Sequence, residues 1–125
     1  MTKVLSILTG IALLSLSVPA WAHETGPGPN GGIKADAGPR YHAELVTTGT
    51  PDVVLFLFDA NDKPIAAAGF RGNAILVIDG KTHRIPLEPA DGSKMQGKAA
   101  VAVPKGVKGA VQLTAPDGAT AQAKY

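Results

Sequence analysis

Beyond residue 40 the chain is cut at short intervals by turn-forming clusters, and no window of about ten residues carries the i, i+3, i+4 apolar spacing of an amphipathic helix. Only short strands fit between such turns. Residues 41–48 alternate, with Tyr41, Ala43, Leu45 and Thr47 on one face and His42, Glu44, Val46 and Thr48 on the other. Residues 52–58 are almost wholly apolar, as in a strand covered on both sides. Ala60-Asn61-Asp62-Lys63-Pro64 reads as a turn, because Asn and Asp cap their own backbone and Pro64 interrupts a ladder. Residues 73–78 and 81–87 flank Asp79-Gly80, the two-residue signature of a type I′ hairpin. That turn pairs Ile78 with Lys81, Val77 with Thr82 and Leu76 with His83, so Leu76, Ile78, Lys81, His83 and Ile85 share a face. Asp91-Gly92 marks another turn, residues 95–103 alternate small apolar residues, and residues 107–115 and 119–125 form a hairpin around Pro116-Asp117-Gly118. Residues 39–125 are therefore expected to form an all-β domain, an immunoglobulin-like antiparallel sandwich of six to seven short strands, with a small barrel as the alternative.

Two segments precede that domain. Residues 23–38 are rich in glycine and proline (Gly26-Pro27-Gly28-Pro29-Asn30-Gly31-Gly32) and read as an arm, since glycine is entropically costly to fix and proline resists helix. The run is not a phosphate loop: the prolines remove backbone donors and no Lys-Ser/Thr follows. Residues 1–22 have the form of a Sec-type signal peptide, a signal helix with Lys3 ahead of an apolar run over residues 4–18, then Pro19 and the small residues Ala20 and Ala22. The run is shorter than the roughly 20 residues that span a bilayer core. Cleavage after Ala22 is expected to deliver a periplasmic protein with no membrane span, beginning at His23.

The inventory for catalysis is poor. The chain has no cysteine, which removes thiolate chemistry and disulfides alike. Ser93 is the only serine after the signal segment and sits in a turn without the elbow that exposes a nucleophile. Glu44 and Glu88 show no spacing that would hold an acid and a base across a cleft, and both read as solvated or salt-bridged carboxylates. Twelve Lys and Arg, of which Lys3 belongs to the signal segment, stand against ten Asp and Glu. The lysines are scattered, and Tyr41, Phe56, Phe58, Phe70 and Tyr125 are the only aromatics after the signal segment, so nucleic acid is disfavoured as a partner. The expectation is a protein that is not an enzyme.

Metal binding has better material. An N-terminal His23 offers its α-amine and its Nδ1 as one chelating unit, and Cu(II) favours nitrogen ligands in tetragonal geometry. His42 and His83 are the other candidate metal ligands, with Glu44 on the strand face of His42 as a group able to orient that ring. Met95 falls in phase with Gly97, Ala99 and Val101, which assigns it to core packing. Copper is thus the expected ion, coordinated by His23, His42 and His83.

Several phrases resemble a group of small exported proteins: Gly28-Pro29-Asn30-Gly31-Gly32, Ala37-Gly38-Pro39-Arg40-Tyr41-His42-Ala43-Glu44-Leu45-Val46, Leu57-Phe58-Asp59-Ala60-Asn61-Asp62-Lys63-Pro64-Ile65, Leu87-Glu88-Pro89-Ala90 and Val111-Gln112-Leu113-Thr114-Ala115-Pro116-Asp117-Gly118. A similar segment forms the N-terminal domain of periplasmic adaptor subunits of heavy-metal (RND-type) efflux pumps. The resemblance implies a periplasmic β-domain serving metal resistance, with an efflux adaptor or other envelope protein as partner. His42 matches the Tyr-His-x-Glu-Leu phrase of that group, whereas Pro27 stands where its pattern often has histidine. A second resemblance is to copper-resistance periplasmic carriers of immunoglobulin-like fold, which also begin with histidine but carry a methionine-rich segment absent here. The competing expectation is an interaction module that docks through an exposed strand edge and binds no metal.

Overall fold

Positive φ at both Asp79 (51°) and Gly80 (74°) closes the tightest hairpin of the molecule, joining β5 (Arg71–Ile78) to β6 (Lys81–Pro89). Its register is the one the two-residue turn imposes: Ile78 opposite Lys81, Val77 opposite Thr82, Leu76 opposite His83. The computed structural model describes residues 25–125. The signal segment, its junction after Ala22 and His23 lie outside the described residues.

Seven further strands complete the sheet: β1 (Gly26–Pro27), β2 (Ile33–Ala37), β3 (Tyr41–Val46), β4 (Asp52–Asp59), β7 (Lys94–Lys98), β8 (Lys108–Thr114) and β9 (Thr120–Lys124). All pairings are antiparallel and the order is β1-β2-β3-β4-β7-β6-β5-β8-β9. The all-β antiparallel expectation holds, and the described residues contain no helix. Where the sequence led to two stacked sheets, hydrogen bonds run through one curled sheet. The reason is β6, whose residues up to Leu87 pair with β5 while Glu88 and Pro89 pair with β7. Strand β6 therefore belongs to both halves.

The concave face holds the core. Val53, Leu55 and Leu57 of β4, Leu76 of β5, Leu87 of β6, Met95 of β7 and Val111 and Leu113 of β8 are all buried. Met95 is wholly enclosed, as its phase on the strand predicts. Strand β7 stops at Lys98, short of the expected alternation to residue 103. Beyond it, Ala99 and Val103 donate to the carbonyls of Pro51 and Thr50 and tie the chain to the start of β4.

The two ends of the curl meet. The β2–β3 turn approaches the β8–β9 turn, where Arg40 Nη1 lies 2.9 Å from Asp117 Oδ2 and Tyr41 stacks edge-on against Phe70 with centroids 5.3 Å apart. At the chain terminus, Tyr125 Oη donates to the Ala43 carbonyl of β3 at 2.7 Å. Small side chains on β2 and β9 (Ala35, Ala37, Ala121, Ala123) allow this approach. Among the described residues no helix is long and apolar enough to cross a membrane.

Two strands lie within residues 23–38, the segment read as an arm: β1 and β2 extend the sheet beyond β3. Entropy argues against ordering such a sequence, so a compensating interaction must hold it, and Glu44 supplies that interaction.

Burial, and after it the field of the Glu44 carboxylate, pushes the Tyr125 phenol above its ordinary range. An unfolded tyrosine ionises near pH 10, so the contribution of the neutral, hydrogen-bonded phenol is intact below about pH 10 and is lost as pH rises beyond it. Tyr125→Phe is expected to cost about 1 kcal/mol at neutral pH and to show a shallower loss of stability above pH 10. Urea unfolding of both proteins at pH 7, 9 and 11 checks this; parallel declines would refute it.

Candidate functional site

Glu44 is fully buried although it lies on the convex face of β3, opposite in direction to the core residues Ala43 and Leu45. Its cover is the β1–β2 turn. Oε2 accepts from the backbone N–H of Asn30 and of Gly32, and Oε1 from the Asn30 side-chain amide, each at 2.8 Å. Three donors on one carboxylate satisfy a charge that burial would otherwise penalise heavily. The turn can sit this close because its glycines lack side chains: a Cβ on Gly28 would overlap the Glu44 carboxyl, and one on Gly32 would overlap the Leu45 carbonyl. The Gly-Pro-Asn-Gly-Gly phrase is thus a lid shaped around a carboxylate.

One step along β3 on the same face is His42. In the β2–β3 register Asp36 stands directly opposite it, and His42 Nε2 lies 3.0 Å from Asp36 Oδ1. On the other side, His42 Nδ1 lies 2.6 Å from Asp62 Oδ1. Asp62 is carried there by the turn after β4, in which Asp59 Oδ1 accepts from the backbone N–H of Asn61 and Lys63 while Asp62 adopts positive φ (62°). Lys34, one residue pair away on β2, reaches the same Asp62 oxygen at 3.0 Å and lies over the Phe58 ring. Hydrogen bonds from His42 first, and Lys34 second, hold the Asp62 carboxyl below its usual range.

Both nitrogens of His42 face carboxylate oxygens, and each nitrogen that carries an N–H can donate to the oxygen it faces. The ring is about three-quarters covered, while the two carboxylates are half-exposed. What results is an imidazole clamped between two anions at the surface, open to exchange with solvent. The orienting groups are Asp36 and Asp62; Glu44, the candidate from strand alternation, is engaged with the β1–β2 turn instead.

His83 lies elsewhere. Its partner Leu76 is fully buried, and its neighbours in phase, Ile85 and Leu87, are core residues, so it lies on the concave face. His42 and His83 point to opposite faces of the sheet, and the structure does not bring them together. His23 lies outside the described residues. Among the described residues no group of three or more His, Cys, Asp or Glu side chains is arranged to hold a metal ion. The role of Asp36 depends on β2 and its register with β3, neither of which is encoded locally in residues 33–37. Comparisons with family models, with curated proteins and with solved structures return no significant match.

Glu44→Gln removes the charge that three donors share and sets an NH2 against either the backbone N–H groups of Asn30 and Gly32 or the Asn30 side-chain amide. Loss of stability by about 2–4 kcal/mol is expected, read as a lower urea midpoint. His42→Ala, which removes a largely solvent-screened pairing, is expected to leave the midpoint nearly unchanged. Equal midpoints for Glu44→Gln and the parent would contradict the account of the buried carboxylate.

Proposed function

We propose that this protein is exported to the periplasm and binds a transition-metal ion, Cu(II) foremost, as an accessory of heavy-metal efflux, without catalysing a reaction. The observation that carries the reading is the placement of His42 on β3, separated by β2 alone from β1, the strand through which the chain enters the domain. Gly26 of β1 pairs with Lys34 of β2, and β1 runs antiparallel to β2. The upstream end of β1 therefore faces in the direction of Asp36, whose neighbour across the ladder is His42. Gly26 and His42 are offset by about 6.6 Å along the strands and by two ladder spacings, about 9.6 Å, across them, about 12 Å in all. Three extended residues cover at most about 11 Å of that, and the imidazole side chains of His23 and His42 span the remainder.

The chemistry fits that set. The α-amine and Nδ1 of His23 with one nitrogen of His42 supply three nitrogen donors, and Asp36 or Asp62 supplies an oxygen, a combination suited to tetragonal Cu(II). The carboxylate that stays on the far ring nitrogen fixes the ring's orientation and strengthens its donor character. Binding must displace one carboxylate from the ring nitrogen that ligates the ion, and protons compete with the metal for the nitrogen donors. His83, on the other face, has no place in this set. The resemblance of the Tyr41-His42-Ala43-Glu44-Leu45 phrase to heavy-metal efflux adaptor domains supports the context, and an immunoglobulin-like topology is the finer fold assignment that goes with it.

Three proteins test the chelate: the chain beginning at His23, the same chain with one residue added before His23, and His42→Ala. Calorimetric titration with Cu(II) is expected to show tight one-to-one binding to the first and binding weaker by at least about tenfold in the other two. Affinity is expected to rise from pH 5.5 to pH 7.5 as protons cease to compete. Equal, weak binding by all three would refute the chelate and favour an interaction module that docks on an envelope partner.

A further inference from the structure

The convex face of the other half of the sheet carries a polar groove that the metal reading does not use. In β5, β6, β8 and β9 the core residues alternate with outward residues, and the register sets Asn73 opposite Gln112 and Gln112 opposite Gln122. Three amide side chains therefore form a row across adjacent strands, spaced by about 4.8 Å. Thr114 and Thr120, also paired, form a second row one step along the same strands. Arg84 of β6 flanks the first row, its Nε donating to Asn73 Oδ1 at 3.4 Å. These six side chains line a groove of about 610 Å³, within the range of small-ligand sites.

The chemistry of the lining narrows the ligand. Each amide and each hydroxyl offers both donors and acceptors, the complement of a sugar hydroxyl, which also does both. No aromatic ring lines the groove, so there is no platform for stacking a base. The backbone groups beneath are consumed by the β5–β8 and β8–β9 ladders, so a peptide strand cannot add there by main-chain pairing. Charge is one-sided: Arg71, Arg84, Lys108 and Lys124 point outward on this face, with Glu88 as the carboxylate among the outward residues of these four strands. A guanidinium has five N–H donors and the bond to Asn73 uses one, so Arg84 can take a carboxylate bidentately.

We propose that this groove binds an acidic oligosaccharide, with the Asn73–Gln112–Gln122 row reading sugar hydroxyls and Arg84 holding a uronate carboxylate. The assignment is independent of the metal reading. It is tested by NMR titration of the whole processed chain with a galacturonate hexasaccharide, following the side-chain amide signals of Asn73, Gln112 and Gln122. Saturable shifts at those amides are expected. Arg84→Gln and Gln112→Ala, both at exposed positions that leave the core untouched, are each expected to weaken binding at least about tenfold, a loss of roughly 1.4 kcal/mol. A neutral maltohexaose is expected to bind at least about tenfold more weakly than the uronate, and hexaglutamate to give no saturable shift at these amides. The proposal is overturned by absent or displaced shifts, by unchanged affinity in both variants with folded spectra, by equal affinity for maltohexaose, or by hexaglutamate binding as well as the uronate.

Discussion

A carboxylate buried on the convex side of a sheet demands donors, and in this protein that demand organises the N-terminal third of the domain. Glu44 takes two backbone N–H groups and one side-chain amide from the turn between β1 and β2. Without them the charge would sit desolvated on β3, at a cost of several kcal/mol. With them, a glycine-rich segment that has little reason to be ordered becomes two strands and a fitted turn. Those strands in turn place Asp36 opposite His42 and fix where the chain enters the domain. The geometry at His42 depends on Glu44 holding that turn in place.

Much of the architecture was legible because it is encoded locally. Asp79-Gly80 dictates its own hairpin and register, since both residues must have positive φ and only one pairing follows. The phase of Met95 reports its burial directly, whereas the apolar run in β4 overstates it: Val53, Leu55 and Leu57 sit in the core, but Val54 and Phe56 on the convex side are only partly buried. What was not legible is encoded at a distance. Residues 26–37 look like an arm if judged by glycine and proline content, and become strands only because an acid 12 to 14 residues further on needs their N–H groups. The available signal was a glutamate flanked by Ala43 and Leu45 in a strand, facing the side where a donor-rich Asn-Gly-Gly turn was free to fold back.

The candidate site shows the same division. Strand alternation placed His42 and Glu44 on one face, which is correct, but suggested that they serve each other. The ladder to β2 and the turn after β4 supply the carboxylates that clamp the ring, Asp36 and Asp62, neither of which is adjacent in sequence to His42. His83 failed to join His42 for an equally simple reason. Its parity with Ile85 and Leu87 puts it on the concave face, whereas His42 has the opposite parity to Ala43 and Leu45. Period-two geometry separates residues that a count of histidines would group.

The strand order carries a consequence for the making of the protein. Strand β4 ends at Asp59, yet its second neighbour is β7, which begins at Lys94, and the intervening residues build β5 and β6 beyond it. Residues 63–65 cover the Leu57–Asp59 end of the open β4 edge at once, but during synthesis the rest of this most apolar strand emerges with one edge unpaired and waits some 35 residues for β7. An apolar strand left open in the middle of the sequence makes late closure, and not the hairpins, the step at which misassociation competes with folding.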